Sequence, residues 1–126
     1  MKEKVLVTGA TGFVGSNLCR KLLEQNFEVF ILVRKSSKFD YLEDIKDKLN
    51  IVVWNGNIDE LIGNLKEIEI KAVFHLASLV KTEHKKEEVE GLINSNILYG
   101  TKLLEVMKYS QIKIFINTGT YWQHYK

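Results

Sequence analysis

The sequence predicts an α/β protein: a doubly wound parallel sheet of five strands in the order 3-2-1-4-5. Three observations carry this expectation. Short, β-branched, continuously apolar runs alternate with stretches of helical periodicity, the pattern of a parallel sheet covered on both faces. A glycine-punctuated loop, "TGATGFVG" (8–15), follows the first such run and opens the first helical stripe. With 126 residues, 45% hydrophobic and 27% charged, the chain has the size and composition of one soluble globular domain.

The elements follow in order. Residues 4–8 ("KVLVT") read as a buried strand, and residues 9–15 as a turn. Val14, Leu18 and Leu22, with Cys19 and Leu23 beside them, form a helical stripe ending near Gln25 and Asn26. "EVFILV" (28–33) is the second strand, and "FDYLEDIKDK" (39–48) predicts a short amphipathic helix. "NIVVW" (50–54) is the third strand. Residues 59–67 form a weak helix with Leu61, Ile62 and Leu65 on one side. "KAVFHLA" (71–77) is the fourth strand. Residues 89–108 predict one long helix whose covered face includes Val89, Ile93, Ile97, Leu103, Leu104 and Met107. In that helix Tyr99, Leu103 and Met107 share the spacing of core packing. "IKIFIN" (112–117) is the fifth strand. The winding reverses between strands 1 and 4, so the ligand crevice is expected at their carboxyl ends. The loops after Thr8, Val33, Trp54, Ala77 and Asn117 open onto that edge.

Composition removes several function classes. Net charge is only +2, and basic residues alternate with acids, as in "KTEHKKEEVEG" (81–91). That reads as a solvated face and argues against nucleic acid. The single cysteine, Cys19, cannot pair within the chain and reads as a buried thiol, so a reducing, cytoplasmic setting is expected. The opening "MKEKVLVTGATG" is too briefly apolar for a signal peptide or membrane span. His84 and His124 lack the spacing of metal ligands, and no metal is expected. His75, ending an apolar strand, reads as a packed core histidine.

The glycine loop points to a dinucleotide. Gly9 allows a tight turn, Gly12 a close approach of backbone to a pyrophosphate, and Gly15 the packing of helix on strand. The first-turn N–H groups and the helix dipole then face the phosphates, with Thr11, Phe13 and Val14 completing the loop. This is the Rossmann-type arrangement. A carboxylate closing strand 2 would bind the ribose 2′-OH of NAD, but Val33 stands there. Arg34, Lys35, Ser36, Ser37 and Lys38 follow. Their cations and hydroxyls suit a 2′-phosphate, so NADP is favoured over NAD.

Four segments carry a family resemblance: "VLVTGATGFVGSNL" (5–18), "GNID" (56–59), "HLAS" (75–78) and "NILYGTKLLE" (96–105). The chain resembles the extended short-chain dehydrogenase/reductases, the superfamily of nucleotide-sugar epimerases, dehydratases and reductases, through most of its length. One departure is that Gly100 comes a residue later than the family's usual glycine, with Tyr99 in its place. The resemblance implies that Leu76, Ala77 and Ser78 border the cofactor and that Asn96 buttresses the same edge. It places Asn57, with Ile58 beside it, at the adenine, where the Asn57 carbonyl replaces the family's acid. It also implies that Thr120, or else Thr118, hydrogen-bonds the substrate oxygen undergoing hydride chemistry. The family's Tyr-x-x-x-Lys pair follows strand 5, and no such pair follows Asn117 in this sequence. Residues 1–126 are therefore expected to be the amino-terminal, cofactor-binding part of a longer enzyme, truncated after strand 5 and inactive alone. A nucleotide-sugar substrate and a homodimer are expected of the complete enzyme. The competing expectation is a non-catalytic NAD(P)-binding sensor.

Overall fold

The computed structural model describes residues 1–119. Its strands are β1 (Lys4–Thr8), β2 (Glu28–Val33), β3 (Asn50–Val53), β4 (Ile70–His75) and β5 (Ile114–Asn117). They form one parallel sheet in the order β3-β2-β1-β4-β5. Helices α1 (Phe13–Glu24), α2 (Ile58–Leu65) and α4 (Tyr99–Tyr109) cover it, and the short α3 (Val89–Ile93) precedes α4 with no buried residue of its own. The doubly wound α/β architecture is therefore the one the sequence predicts.

The continuous apolar runs are explained by two cores. Val5, Val7, Val29, Ile31 and Val33 point to one face, where Cys19 and Leu22 of α1 meet them. Leu6, Phe30, Leu32 and Val73 point to the other, against Leu61 and Leu65 of α2 and Leu103, Val106 and Met107 of α4. A strand buried on both sides cannot alternate apolar with polar. β5 at the edge is different: Ile114 and Ile116 remain 42% and 45% exposed.

Helix ends are finished by local chemistry. After α1, Asn26 takes φ 67°. The Asn26 N–H reaches the Leu23 carbonyl, and the Phe27 N–H reaches that of Leu22, both at 3.0 Å. This is a Schellman closure with asparagine as the left-handed residue. Gln111, at φ 58°, does the same after α4.

Two predicted helices are corrected. Residues 39–48 are not an α-helix but two 3-10 turns, Asp40–Leu42 and Lys46–Lys48. Phe39, Leu42 and Ile45 recur every three residues, the 3-10 period rather than 3.6. The hydrogen bonds agree, running from Leu42 to Phe39, Ile45 to Leu42 and Lys48 to Ile45. The long helix over 89–108 is interrupted by a π-helical segment, Asn94–Leu98, between α3 and α4. That wider turn takes up an extra residue and rotates the helix face by roughly 100°. Val89, Ile93 and Ile97 before or within it are exposed, whereas Leu103, Val106 and Met107 after it are buried. The single covered face thus splits in two, and Leu104 falls on the exposed side.

Candidate functional site

At the carboxyl edge of the sheet a cleft of about 510 Å³ opens between the loops after β1, β2 and β4 and the start of α4. Its lining includes Gly9, Thr11, Gly12, Phe13, Val14 and Gly15 from the first loop and Arg34 from the second. Leu76, Ala77 and Ser78 close the third side. A larger hollow of about 1040 Å³ lies at the opposite, amino-terminal edge, among interleaved lysines and glutamates such as Lys4, Glu28, Lys66 and Glu69. In an open α/β sheet the ligand crevice lies outside the carboxyl ends of the strands, which selects the first cleft.

The three loop glycines do different work. A Cβ on Gly15 would stand 2.0 Å from the Gly9 carbonyl oxygen. Gly9 has φ 71°, and a Cβ there would stand 2.7 Å from the Ala77 nitrogen. The fold itself therefore requires both. Gly12 is another matter. Its backbone is ordinary and extended, at φ −83° and ψ 176°. A Cβ on it would meet only the Gly9 oxygen, at a comfortable 3.5 Å. No contact among the described residues forbids a side chain there, and the bare backbone lines the cleft.

Gly12 is also the N-cap of α1. It supplies no side-chain acceptor, and the first turn carries no acid. The first N–H groups of an α-helix have no partner within it, and the helix dipole adds positive potential. This edge thus offers oriented donors to an anion, flanked by Phe13 and Val14, which stand 70% and 63% exposed. These features fit a dinucleotide: donors for its pyrophosphate, room where a Cβ would intrude and apolar side chains that a ligand would cover.

A buried hydrogen-bond cluster joins the two central loops. Thr8 Oγ1 accepts from the N–H groups of Leu76 and Ala77, both at 3.1 Å. With both lone pairs engaged, the hydroxyl donates its proton to His75 Nδ1, 2.7 Å away. His75 is therefore neutral with its hydrogen on Nε2, and burial lowers its pKa. Gly100 lies against that nitrogen, where a Cβ would stand 3.2 Å off. His75 is a core histidine that ties β4 to β1. Cys19 is buried too, and desolvation pushes its thiol up to about 12, which keeps it neutral and unreactive.

Beyond β2, the Arg34–Ser37 turn is closed by Ser37 N–H to the Arg34 carbonyl and Arg34 N–H to Ser37 Oγ, both at 3.0 Å. This geometry brings Arg34 and Ser37 to the cleft, whereas Lys35, Ser36 and Lys38 stand outside its lining. Asn57 and Ile58 also stand outside it. The Asn57 carbonyl is committed to capping α2, accepting from the Glu60 N–H at 2.9 Å. The expectation of a carbonyl left for adenine meets this prior engagement. The loop around it is held by two bonds to backbone oxygens, Trp54 Nε1–H to the Asn57 main-chain carbonyl at 2.7 Å and Lys102 Nζ to that of Gly56 at 3.0 Å. Asn96 also stands outside the lining and grips the Leu79 backbone, accepting from its N–H at 2.8 Å and donating to its carbonyl at 2.9 Å. Thr118, past β5, donates its backbone N–H to the His75 carbonyl at 3.1 Å. Thr120 lies outside the described residues.

Ser95 and Tyr99 line the cleft without having been singled out from sequence as site residues, and Ser37, one of the two hydroxyls expected at a 2′-phosphate, lines it as well. Tyr99 had the spacing of a core residue, and it does pack on Trp54 and His75, with ring centroids 5.2 and 5.8 Å away. The departure at Gly100 was the one signal that this position is unusual. Among the described residues no three His, Cys, Asp or Glu side chains converge as a metal site, and no helix is long and apolar enough to cross a membrane.

Comparison with known proteins identifies the family. The NAD dependent epimerase/dehydratase family model matches residues 5–123. The chain is 32% identical over 127 residues to a putative dihydroflavonol 4-reductase of Synechocystis sp., covering 95% of this chain and 33% of that protein. It is 33% identical over 129 residues to the dTDP-D-glucose 4,6-dehydratase of Dictyostelium discoideum, covering 94% and 29%. A crystal structure of UDP-glucose-4-epimerase from Stenotrophomonas maltophila, with bound NAD and formylated UDP-arabinopyranose, superposes with a TM-score of 0.79 at 25% identity. That superposition covers 95% of this chain and 38% of the other. The chain thus spans about a third of the length of the curated relatives it matches. The resemblance in the motifs and the geometry of the glycine loop lead to one conclusion: the chain belongs to the NAD dependent epimerase/dehydratase family.

Proposed function

We propose that this chain holds the dinucleotide of an NADP(H)-dependent enzyme that moves hydride between a nucleotide-sugar carbon and the nicotinamide. The observation that carries this reading is Gly12, a bare backbone that the fold does not require, at the uncapped mouth of α1. Bound dinucleotide supplies the hydride donor or acceptor. The roles left to these residues are binding and orientation. The amides of the first turn of α1 take the pyrophosphate, while Phe13, Val14, Leu76, Ala77 and Ser78 enclose the cofactor. Thr118 or Thr120 offers a hydroxyl to the reacting oxygen. A relative named as a dTDP-D-glucose 4,6-dehydratase, and an epimerase structure holding NAD with a UDP-sugar, support the substrate class, whereas the relative named as a dihydroflavonol 4-reductase supports only the reductase chemistry. The exposed stripe Val89, Ile93 and Ile97 supports the homodimer.

The choice of NADP rests on Arg34, which lines the cleft where strand 2 ends without an acid. Calorimetric titration tests both parts. NADPH is expected to bind more tightly than NADH by about 1–3 kcal/mol, from charge-assisted hydrogen bonds to the 2′-phosphate. Arg34→Ala is expected to remove that difference. Equal affinities in the parent chain overturn the NADP assignment, and failure to bind either dinucleotide overturns the function. A sensor would bind and yet support no hydride transfer in a longer chain carrying the Tyr-x-x-x-Lys pair.

A further inference from the structure

We propose that Tyr99 and Ser95 are positioning residues for cofactor selection: they hold the Arg34 guanidinium against the cleft wall, ready for an anionic group. The proposal rests on the NADP reading above and adds two residues to it. The Arg34 Cζ lies 5.7 Å from the centre of the Tyr99 ring. Its Nη2 donates to Ser95 Oγ at 3.4 Å. Ser95 lies in the π-segment and Tyr99 opens α4, and these two contacts set both beside Arg34. All three residues line the cleft.

The ring is itself fixed. Tyr99 packs on Trp54 on one side and stacks on His75 on another, with an interplanar angle of 16° to the imidazole. Burial pushes its hydroxyl up to about 12, so the ring stays neutral and attracts the guanidinium through its π-face. At the other end the Arg34 backbone is pinned by Ser37. An exposed arginine ordinarily gives up much rotamer freedom on capturing a phosphate. Here a fixed ring and a hydroxyl restrict the side chain beforehand, which lowers the cost of capture. The same residues explain the departure from the family pattern. The π-segment Asn94–Leu98 absorbs a residue, so Gly100 meets His75 while the position before it is free to carry an aromatic ring beside the cleft.

Dissociation constants for NADPH and NADH would be measured calorimetrically for the full chain and for Arg34→Ala, Tyr99→Phe, Tyr99→Leu and Ser95→Ala. Tyr99→Phe keeps the ring and is expected to keep the NADPH preference. Tyr99→Leu and Ser95→Ala are each expected to reduce that preference by about 2–5-fold, weakening NADPH more than NADH. Ser95→Ala removes one oxygen from a half-buried site, so it decides the matter if Tyr99→Leu does not fold. The positioning role is overturned if Arg34→Ala abolishes the preference and both other variants retain or increase it. It is also overturned if NADPH and NADH weaken equally, which marks general packing damage. If the parent shows no preference, or Arg34→Ala leaves one intact, the NADP reading fails and takes this proposal with it.

Discussion

Two helices begin at the same edge of the sheet, and their first turns are built in opposite ways. α2 is complete within the chain: the Asn57 side chain accepts from the Glu60 N–H, and Asp59 and Glu60 place carboxylates in the first turn. Those groups satisfy an orphan donor and oppose the positive end of the dipole. α1 has neither. Gly12 caps nothing with a side chain, no acid follows, and the nearby side chains of Ser16 and Asn17 donate back to the Phe13 carbonyl. Under the proposed function, the difference marks the place of the anion. A sequence that caps one helix with asparagine leaves the other bare beside a cleft, as the proposed dinucleotide site requires.

The sharpest way to break this contrast is to cap α1 as α2 is capped. Gly12→Asp supplies an acceptor at the N-cap in a backbone conformation that needs no glycine. Stability is expected to rise by a few tenths of a kcal/mol. NADPH binding is expected to fall by about 3 kcal/mol or more, because a carboxylate then occupies the anion's place. Thermal unfolding and calorimetry on one preparation check both signs. Tight binding retained by this variant would remove α1 from the site. The Arg34→Ala substitution comes next in expected size, since it acts on selection between dinucleotides and leaves the pyrophosphate cradle intact.

The same contrast explains what the sequence could reveal. Strands buried on both faces announce themselves as unbroken apolar runs, and β1 and β2 fall at residues 4–8 and 28–33 as predicted. Gly9 and Gly15 were legible because the backbone leaves no room for a Cβ there, and Gly12 because it completes the glycine spacing between them. The segment 39–48 was misread because Phe39, Leu42 and Ile45 match a three-residue period nearly as well as a helical one. The π-segment was invisible because a window of periodicity averages across a single extra residue. Ser95 and Tyr99 reach the cleft only through the packing of α4 against a distant strand, and no local pattern encodes that approach. Asn57 was legible as a special position, but its hydrogen bond to Glu60 is a contact that side-chain chemistry alone does not choose.

Asn57→Ala sharpens the comparison from the other helix. Removing the cap from α2 is expected to cost about 1 kcal/mol of stability in urea unfolding, with Asn57→Asp restoring it. The signature is the reverse of that at Gly12, where stability holds and binding collapses. If Asn57→Ala unfolds no more easily than the parent, the Glu60 hydrogen bond contributes nothing and the contrast between the two helices loses one side.

The smallest effect concerns the cluster that joins the two central loops. Thr8 Oγ1 accepts two backbone N–H groups and donates to His75 Nδ1, so a protonated imidazole would face a donor with a second donor. The groups against the ring are Tyr99, which stays neutral with its hydroxyl pushed up to about 12, and the uncharged Phe115 and Gly100. Burial lowers the His75 pKa, so the unfolded chain binds a proton at a pH where the folded chain does not. Stability from this group is fully present above the ordinary histidine value of about 6.5 and is lost as pH falls through the lower folded value. Urea unfolding across mildly acidic to neutral pH is expected to show this decline. His75→Gln, whose carbonyl can still accept from Thr8, is expected to flatten it. A decline of equal slope in that variant would assign the acid sensitivity to other groups. It would leave Thr8 as a purely neutral tie between the glycine loop and the strand beside it.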